Sequence, residues 1–437
     1  MGKERIVSVA FLVFCYVFAY LLTIPRTEIP DHLLGHKAFF ERDFISKDTG
    51  DQLMEMLKDM SVFPSVSSYL KFYTCENEDT GEGVPIPEDG KCPHSFLLPN
   101  VNRTKCVLPA RIDVGKHFVT SGGVDGLKDS YETLVSRVSP FGAFLYDLTK
   151  YPVVQDLFSN KKFKRFAREV CPSDKQVLDP FQFNFIIQLP GQTVATHIDG
   201  VYFWGADRFM YPEWLLAAMK FSGLFEDRFI DQVQVVGYVH QWESAEDRDG
   251  EFVYYTENAD PEAVKPYPLA GSAVDGSKTV HAAIVYRRDV EPPILDKSDD
   301  NELVFLEGEK WELRSNGVHR QYFSTDDLRI SIVYRGRCFD SEETRIEYNK
   351  NPNARGNIAL QTIYETLVDE LIRRGDIAAE DRTKMLAKEN RLELNLLIMD
   401  KFIKYPLPSI TKAVNPYNHC ALIRLFPDLA PFLNLVC

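Results

Sequence analysis

Phe181-Gln182-Phe183-Asn184-Phe185-Ile186-Ile187-Gln188-Leu189-Pro190-Gly191-Gln192-Thr193-Val194-Ala195-Thr196-His197-Ile198-Asp199-Gly200 is the stretch on which the reading of this chain turns. Phe181 to Leu189 is an apolar run of strand length, closed by Pro190-Gly191, a dipeptide that punctuates strands with a turn. Thr193 to Ile198 resumes the strand and delivers His197 and Asp199. Residues i and i+2 of a strand point the same way, so His197-Ile198-Asp199 aims an imidazole and a carboxylate at one place. Alone, such a tripeptide is an ordinary surface feature near a turn. Its weight comes from the strands and the second histidine further along the chain.

Downstream the chain keeps to short strands. Gln232 to His240 alternates, with Val233, Val235 and Val239 on one face and Gln232, Gln234 and His240 on the other. Asp249-Gly250 leads into Glu251 to Tyr255. Ala270–Asp275, Val280–Tyr286, Leu303–Leu306, Trp311–Leu313 and Leu328–Tyr334 come next, with turn residues between them. This pattern predicts an antiparallel sandwich or jelly roll. His281 lies 84 residues after His197 (281 − 197) and begins one of these strands. Two imidazoles and one carboxylate can hold a redox-active iron on one face and leave the other open, whereas a structural zinc site is closed by four ligands. Around this core the spacing predicts helices. Ser46 to Met60 carries Leu53, Met56, Leu57 and Met60 on one stripe, and Tyr131 to Phe166 is largely helical with breaks at Pro140 and Pro152. Pro212 opens a helix through Ser222 that stops at Gly223. Ile363, Leu367, Leu371 and Ile372 mark a helix ended by Gly375, and Thr383 to Phe402 a second one.

In order along the chain, four segments resemble those of the 2-oxoglutarate- and Fe(II)-dependent dioxygenases, within the prolyl-hydroxylase-like superfamily. They are Phe183 to Gly200, Asp249-Gly250-Glu251-Phe252, Gly271 to Gly276 followed by His281, and Arg329-Ile330-Ser331. The resemblance covers a little more than a third of the chain. It implies an α+β protein built on a double-stranded β-helix (jelly roll) with flanking helices. It implies His197, Asp199 and His281 as iron ligands, and Arg329 with Ser331 as the seat of the far carboxylate of 2-oxoglutarate. It implies Fe(II), 2-oxoglutarate and O2 as the reactants, allows ascorbate as an accessory reductant, and points to hydroxylation. Arg suits the carboxylate because a guanidinium makes two parallel charge-assisted hydrogen bonds. Two points stay open. His319 stands ten residues before Arg329 (329 − 319), the spacing usual in the family, whereas His281 stands 48 before it (329 − 281), with the charged segment Arg288 to Asp327 between. His281 is favoured by the strands on either side of it. Arg335 competes with Arg329, which Ser331 favours. Asn184, Gln188, Tyr202 and His240 are further pocket candidates, and Tyr202-Phe203-Trp204 a candidate gate. For each, packing is an equal or better reading.

A net charge of −14 excludes a broad nucleic-acid surface, which needs clustered Lys and Arg. Ile6 to Ile24 is a run of nineteen uncharged residues, long enough to cross a hydrocarbon core of about 30 Å. It reads as a retained signal-anchor rather than a cleaved signal peptide. The expected arrangement is a single-pass membrane protein with its catalytic domain in the lumen of the endoplasmic reticulum or Golgi. Cys92 and Cys106 flank a loop suited to a disulfide, and Asn102-Arg103-Thr104 within it is a glycosylation acceptor. Seven cysteines follow Cys15, which leaves one thiol over; Cys437 is the expected one. The expected organisation is an anchor (1–25), a stem with a helical, Cys-containing region (26–170), the dioxygenase jelly roll (171–340) and a C-terminal helical extension (341–437). The substrate, polypeptide or small molecule, is not written in the chain. Two other readings remain: a non-catalytic jelly-roll scaffold of the secretory pathway, and a cupin-like metalloenzyme that uses no 2-oxoglutarate.

Overall fold

The computed structural model describes residues 29–405 except 67–82, 89, 91, 94–96, 101–103, 109–130, 247, 260 and 297–298. Ile6 to Ile24, Asn102, Cys15, Cys75, Cys420 and Cys437 lie outside the described residues, and among those described no helix is long and apolar enough to cross a membrane. The early strands are short: β1 Phe39–Glu41, β2 Val62–Pro64, β3 Val84–Pro85, β4 Leu98–Pro99, β5 Lys105–Val107 and β6 Phe141–Leu145. The central ones are β7 Val177–Gln188, β8 Val194–His197, β9 Gln232–Tyr238, β10 Phe252–Tyr255, β11 Pro261–Val264, β12 Gly271–Val274 and β13 His281–Ala283. β14 Asn301–Leu306, β15 Lys310–Ser315, β16 Val318–Ser324 and β17 Arg329–Phe339 complete the set.

One antiparallel sheet runs β1-β12-β9-β17-β7-β6 and a second runs β11-β10-β13-β8. From β7 to β13 and on to β17 the chain crosses between the two sheets at every step except the β10–β11 hairpin. This is the jelly-roll winding expected from the strand pattern. Val236, Tyr238 and Val274 of the larger sheet pack against Phe252 of the smaller, so the two lie face to face.

Period 2 decides what each face of the larger sheet buries. Phe183, Phe185 and Ile187 of β7, Val233 and Val235 of β9, and Ile330, Ile332 and Tyr334 of β17 form an apolar layer with the helices Lys47–Met60, Pro152–Ser159 and Lys161–Val170. The alternate positions look between the sheets and are polar yet buried, among them Gln182, Gln188, Gln234, Tyr238, Arg329 and Arg335.

Several elements differ from the sequence expectation. Between Pro140 and Pro152 the chain is helical only in the short 3-10 turn Leu148–Lys150. Phe141–Leu145 is β6, an edge strand on β7, with Phe141 and Ala143 alternating into the core. Gly142 permits this, since a Cβ there would lie 2.4 Å from the carbonyl oxygen of Phe185. The helix expected over Thr383 to Phe402 is two helices, Arg382–Leu386 and Arg391–Phe402, with a break between them. In the long insertion before Arg329, β14 and β15 pair as a hairpin, and a turn at Asn316-Gly317, both with positive φ, adds β16. Among the described residues before β6, β3, β5 and β4 make a small sheet cross-linked by the expected Cys92–Cys106 disulfide. A second disulfide, Cys171–Cys338, joins the end of the helix Lys161–Val170 to β17; nothing in the sequence spacing pairs these two.

Candidate active site

β8 and β13 are hydrogen-bonded neighbours, and their register sets His197 opposite His281. The imidazole centroids are 4.4 Å apart. Asp199 lies just past β8 and is fixed by its own N–H, which donates to the carbonyl of Gly276 at 2.8 Å. Each ring has its Nδ1 on a backbone carbonyl two residues back, His197 on Ala195 at 2.7 Å and His281 on Thr279 at 2.8 Å. A carbonyl only accepts, so each Nδ1 carries the proton and each Nε2 presents a lone pair, the orientation a metal needs. His197 Nε2 is 3.6 Å from Asp199 Oδ1 and His281 Nε2 is 3.5 Å from Asp199 Oδ2. One ligand atom from each residue lies within 4.8 Å of the others, and all three residues are buried.

The electrostatics favour a cation here. Burial pushes the Asp199 carboxyl up, but the Arg335 guanidinium, His281 and His197 outweigh it and hold the group well below the usual carboxylate range. Burial, then the neighbouring His197, lowers His281 to about 4. At neutral pH the set is therefore one carboxylate and an unprotonated His281, with no proton to displace from that ring before a metal binds. His319 is elsewhere: it lies on β16, partly exposed, with Nδ1 3.0 Å from Glu312 Oε1. His281, at the longer spacing, is the residue the fold brings to His197 and Asp199.

Arg329 and Arg335 sit six residues apart on the inner face of β17 and do different things. Arg335 donates through Nη2 to Asp199 Oδ1. Arg329 is at the far end of the strand, 1% exposed. Its Nε donates to the carbonyl of Gly250 at 3.0 Å and its Nη1 to Gln188 Oε1 at 2.5 Å. Its Nη2 has no partner. The guanidinium lies against the Tyr238 ring, 5.1 Å from the centroid. Tyr238 and Ser272, on the adjoining β9 and β12, each bring a buried hydroxyl without a hydrogen bond of normal geometry. Burying polar atoms unpaired is costly. A guanidinium nitrogen and two hydroxyls left over on three neighbouring strands fit a carboxylate. Ser331 faces the same way, but its hydroxyl is on the Ile186 carbonyl at 3.3 Å.

Of the other candidates, Gln188 touches the site through Arg329, while the Asn184 amide oxygen accepts from Gln182 Nε2 at 2.8 Å. His240 is buried and stacked on Trp242 with centroids 3.5 Å apart, and burial together with the charge of Arg329 lowers it to about 3. Tyr202, Phe203 and Trp204 are all buried and pack rather than gate. Sequence reasoning does not reach Tyr238 or Ser272. Tyr238 shares a strand face with Gln232 and Gln234, but Val236 interrupts the polar pattern between them and an aromatic in a strand reads first as core.

No protein-family model matches this chain, and no curated protein matches it. Among solved structures it is similar to a prolyl-4-hydroxylase from Pseudomonas putida, at 10% identity and a TM-score of 0.31 over 71% of this chain and 96% of that one. It is similar to a viral collagen prolyl hydroxylase from Paramecium Bursaria Chlorella virus-1, at 8% identity and a TM-score of 0.30 over 69% and 97%. It is also similar to a prolyl hydroxylase from Trichoplax adhaerens, at 8% identity and a TM-score of 0.31 over 71% and 86%.

Proposed function

We propose that this chain is a 2-oxoglutarate- and Fe(II)-dependent dioxygenase that hydroxylates a substrate of the secretory pathway, polypeptide or small molecule. The observation that carries the reading is the convergence of His197, Asp199 and His281, with the ring lone pairs turned toward one carboxylate; a three-ligand set of this kind would leave a bound iron open to other ligands. His197 and His281 through Nε2 and Asp199 through Oδ2 would hold the iron. Arg329, with Tyr238 and Ser272, would hold the far carboxylate of 2-oxoglutarate; their polar groups lie near enough to interact with one another but make no hydrogen bond of good geometry between them, and that is the fit. Ferrous iron with this co-substrate and oxygen supplies the oxidising power to hydroxylate an unactivated C–H bond. The protein's part is to fix the ligands, anchor the co-substrate and keep both in a largely dry interior, where Arg329 and Asp199 act at low dielectric. For the cellular setting we propose a single-pass protein anchored by Ile6 to Ile24, its catalytic domain in the lumen of the endoplasmic reticulum or Golgi. The two disulfides agree with an oxidising compartment.

The decisive experiment is an anaerobic titration of the protein with Fe(II) and then 2-oxoglutarate, followed by the visible charge-transfer absorption of the chelate. The expected band appears in the wild type and is absent in His197→Ala and Asp199→Ala, which also lose 2-oxoglutarate decarboxylation in air. Decarboxylation at the wild-type rate in either variant would overturn the assignment. Metal binding without any effect of Arg329→Ala on turnover would leave the cupin-like reading instead.

A further inference from the structure

We propose that Arg335 adds positive charge to the candidate iron site, weakening the hold on ferrous iron alone and strengthening the hold of the iron-loaded protein on the chelating carboxylate of a 2-oxo acid. This rests on the dioxygenase reading above. Arg335 lies on β17 directly opposite Gln182 of β7 and Gln234 of β9, in the middle of the larger sheet. It is buried, 6% exposed, and its guanidinium meets a metal ligand rather than solvent. Its Nη2 donates to Asp199 Oδ1, while Asp199 Oδ2 has no partner and sits 3.5 Å from His281 Nε2. Asp199 therefore comes to the site with one oxygen engaged and one free, ready to give an ion a single donor.

The charges then add simply. Two neutral imidazoles, one carboxylate and one guanidinium sum to zero. A divalent ion alone would leave two positive charges in a buried setting, a costly state. A chelating 2-oxo acid brings one carboxylate to the ion, its far carboxylate being met by Arg329, and lowers the sum to one. Without Arg335 the ion alone would leave one positive charge, and the chelating carboxylate would bring the centre to zero, so the loaded site would draw the anion less strongly. A unit charge hydrogen-bonded to a ligand of a divalent ion, at an effective dielectric of about 20 to 40, changes binding by at least about tenfold. The sign is opposite for the cation and for the dianion. A residue that only held Asp199 in place would not behave this way, since its loss would weaken iron and leave the co-substrate to follow.

The test uses the full chain under anaerobic conditions, with Fe(II) alone and then 2-oxoglutarate added to iron-loaded protein as probes, each Kd measured directly. Arg335→Gln keeps a donor near Asp199 and removes the charge. It is expected to bind Fe(II) alone at least tenfold more tightly and 2-oxoglutarate at least tenfold more weakly. Arg335→Lys keeps the charge and is expected to stay within a few-fold of wild type on both. Arg335→Met, which keeps the volume, gives a second neutral variant if the glutamine form does not fold. If the folded neutral variant binds iron as well as or less tightly than wild type, or 2-oxoglutarate without loss, the proposal is overturned while the dioxygenase reading stands. If wild type binds neither probe, both fall together.

Discussion

Gly276 shows how little room the candidate metal-binding cluster has. A Cβ built on it would lie 2.1 Å from Asp199 Oδ2 and 2.8 Å from Gln234 Nε2, distances no real side chain holds. The same residue's carbonyl takes the Asp199 N–H. Gly276→Ala must therefore displace the carboxylate, and the expected result is loss of Fe(II) binding by at least tenfold with the protein still folded, read by metal titration beside circular dichroism. Arg329→Ala should act on the other ligand. A hydrogen bond to a charged partner is worth about 1.5–3 kcal/mol, so loss of the one hold that Nη2 offers raises KM for 2-oxoglutarate by about ten- to a hundredfold, with the Kd for Fe(II) unchanged. A rise in both, or in neither, would contradict the division of labour between the two ends of β17. The buried histidines set a pH dependence. His240 and His281 titrate near 3 and 4 in the folded chain, from burial first, against an ordinary value of about 6.5. The unfolded chain then binds more protons in between, so stability rises with pH across that window and falls on acidification. At pH 5 each histidine costs about 2 kcal/mol, and the midpoint of thermal unfolding of metal-free protein should drop between pH 7 and 5. The depressed Asp199 keeps its contribution above the ordinary carboxylate value and does not offset this. A flat profile would show that water reaches these rings.

At the scale of elements, β17 does most of the organising. It pairs with β7 and β9 along its length, carries Arg329 and Arg335 inward, and is tied at Cys338 to Cys171, 167 residues earlier. Cross-linking so long a loop restricts the unfolded chain, and removing a native disulfide costs about 2–5 kcal/mol. Cys171→Ser with Cys338→Ser is expected to lower thermal stability by an amount in that range, and reductant should lower wild type toward the variant; equal unfolding midpoints with and without reductant would refute it. How much of this architecture is legible in the chain depends on the range of each signal. β7, β9 and β17 are readable because period-2 alternation is local. His197 and Asp199 are readable because the tripeptide and its Pro-Gly turn lie within one stretch. The partner of that pair is harder. His281 reaches His197 by a register between strands 84 residues apart (281 − 197), and the β14–β16 insertion breaks the spacing that would point to it. β6 escapes because a strand of five residues between prolines has too few positions to show its period. The Cys171–Cys338 pairing is a property of the closed sheet, not of any window of sequence.

Taken whole, the molecule supports its candidate site from behind through its last helices. One core cluster joins Trp214, Leu215, Leu216 and Met219 of the helix after Asp199 to Ile363, Leu367 and Leu371 of Leu360–Arg374 and to Leu394, Ile398, Met399 and Phe402 of Arg391–Phe402. The same cluster contains Ile198, between the candidate ligands His197 and Asp199, and Val280, next to His281. The Ile198 N–H also donates to the Tyr405 hydroxyl at 3.3 Å. The backbone that aims the ligands is thus packed against a layer supplied by residues far beyond β17. Removing a buried Leu or Ile side chain from such a layer costs about 2–5 kcal/mol, through lost transfer energy and the cavity left behind. Ile398→Ala is expected to lose stability in that range and, by loosening Ile198, to weaken Fe(II) binding several-fold though it touches no ligand. A chain ended after residue 340 should lose the whole layer, expose Trp214 and its neighbours, bind a hydrophobic dye and fail to retain iron. If the shortened chain stays folded and holds Fe(II) with the affinity of the full chain, the C-terminal helices are an appendage, and the rigidity of the ligand triad must come from the two sheets alone.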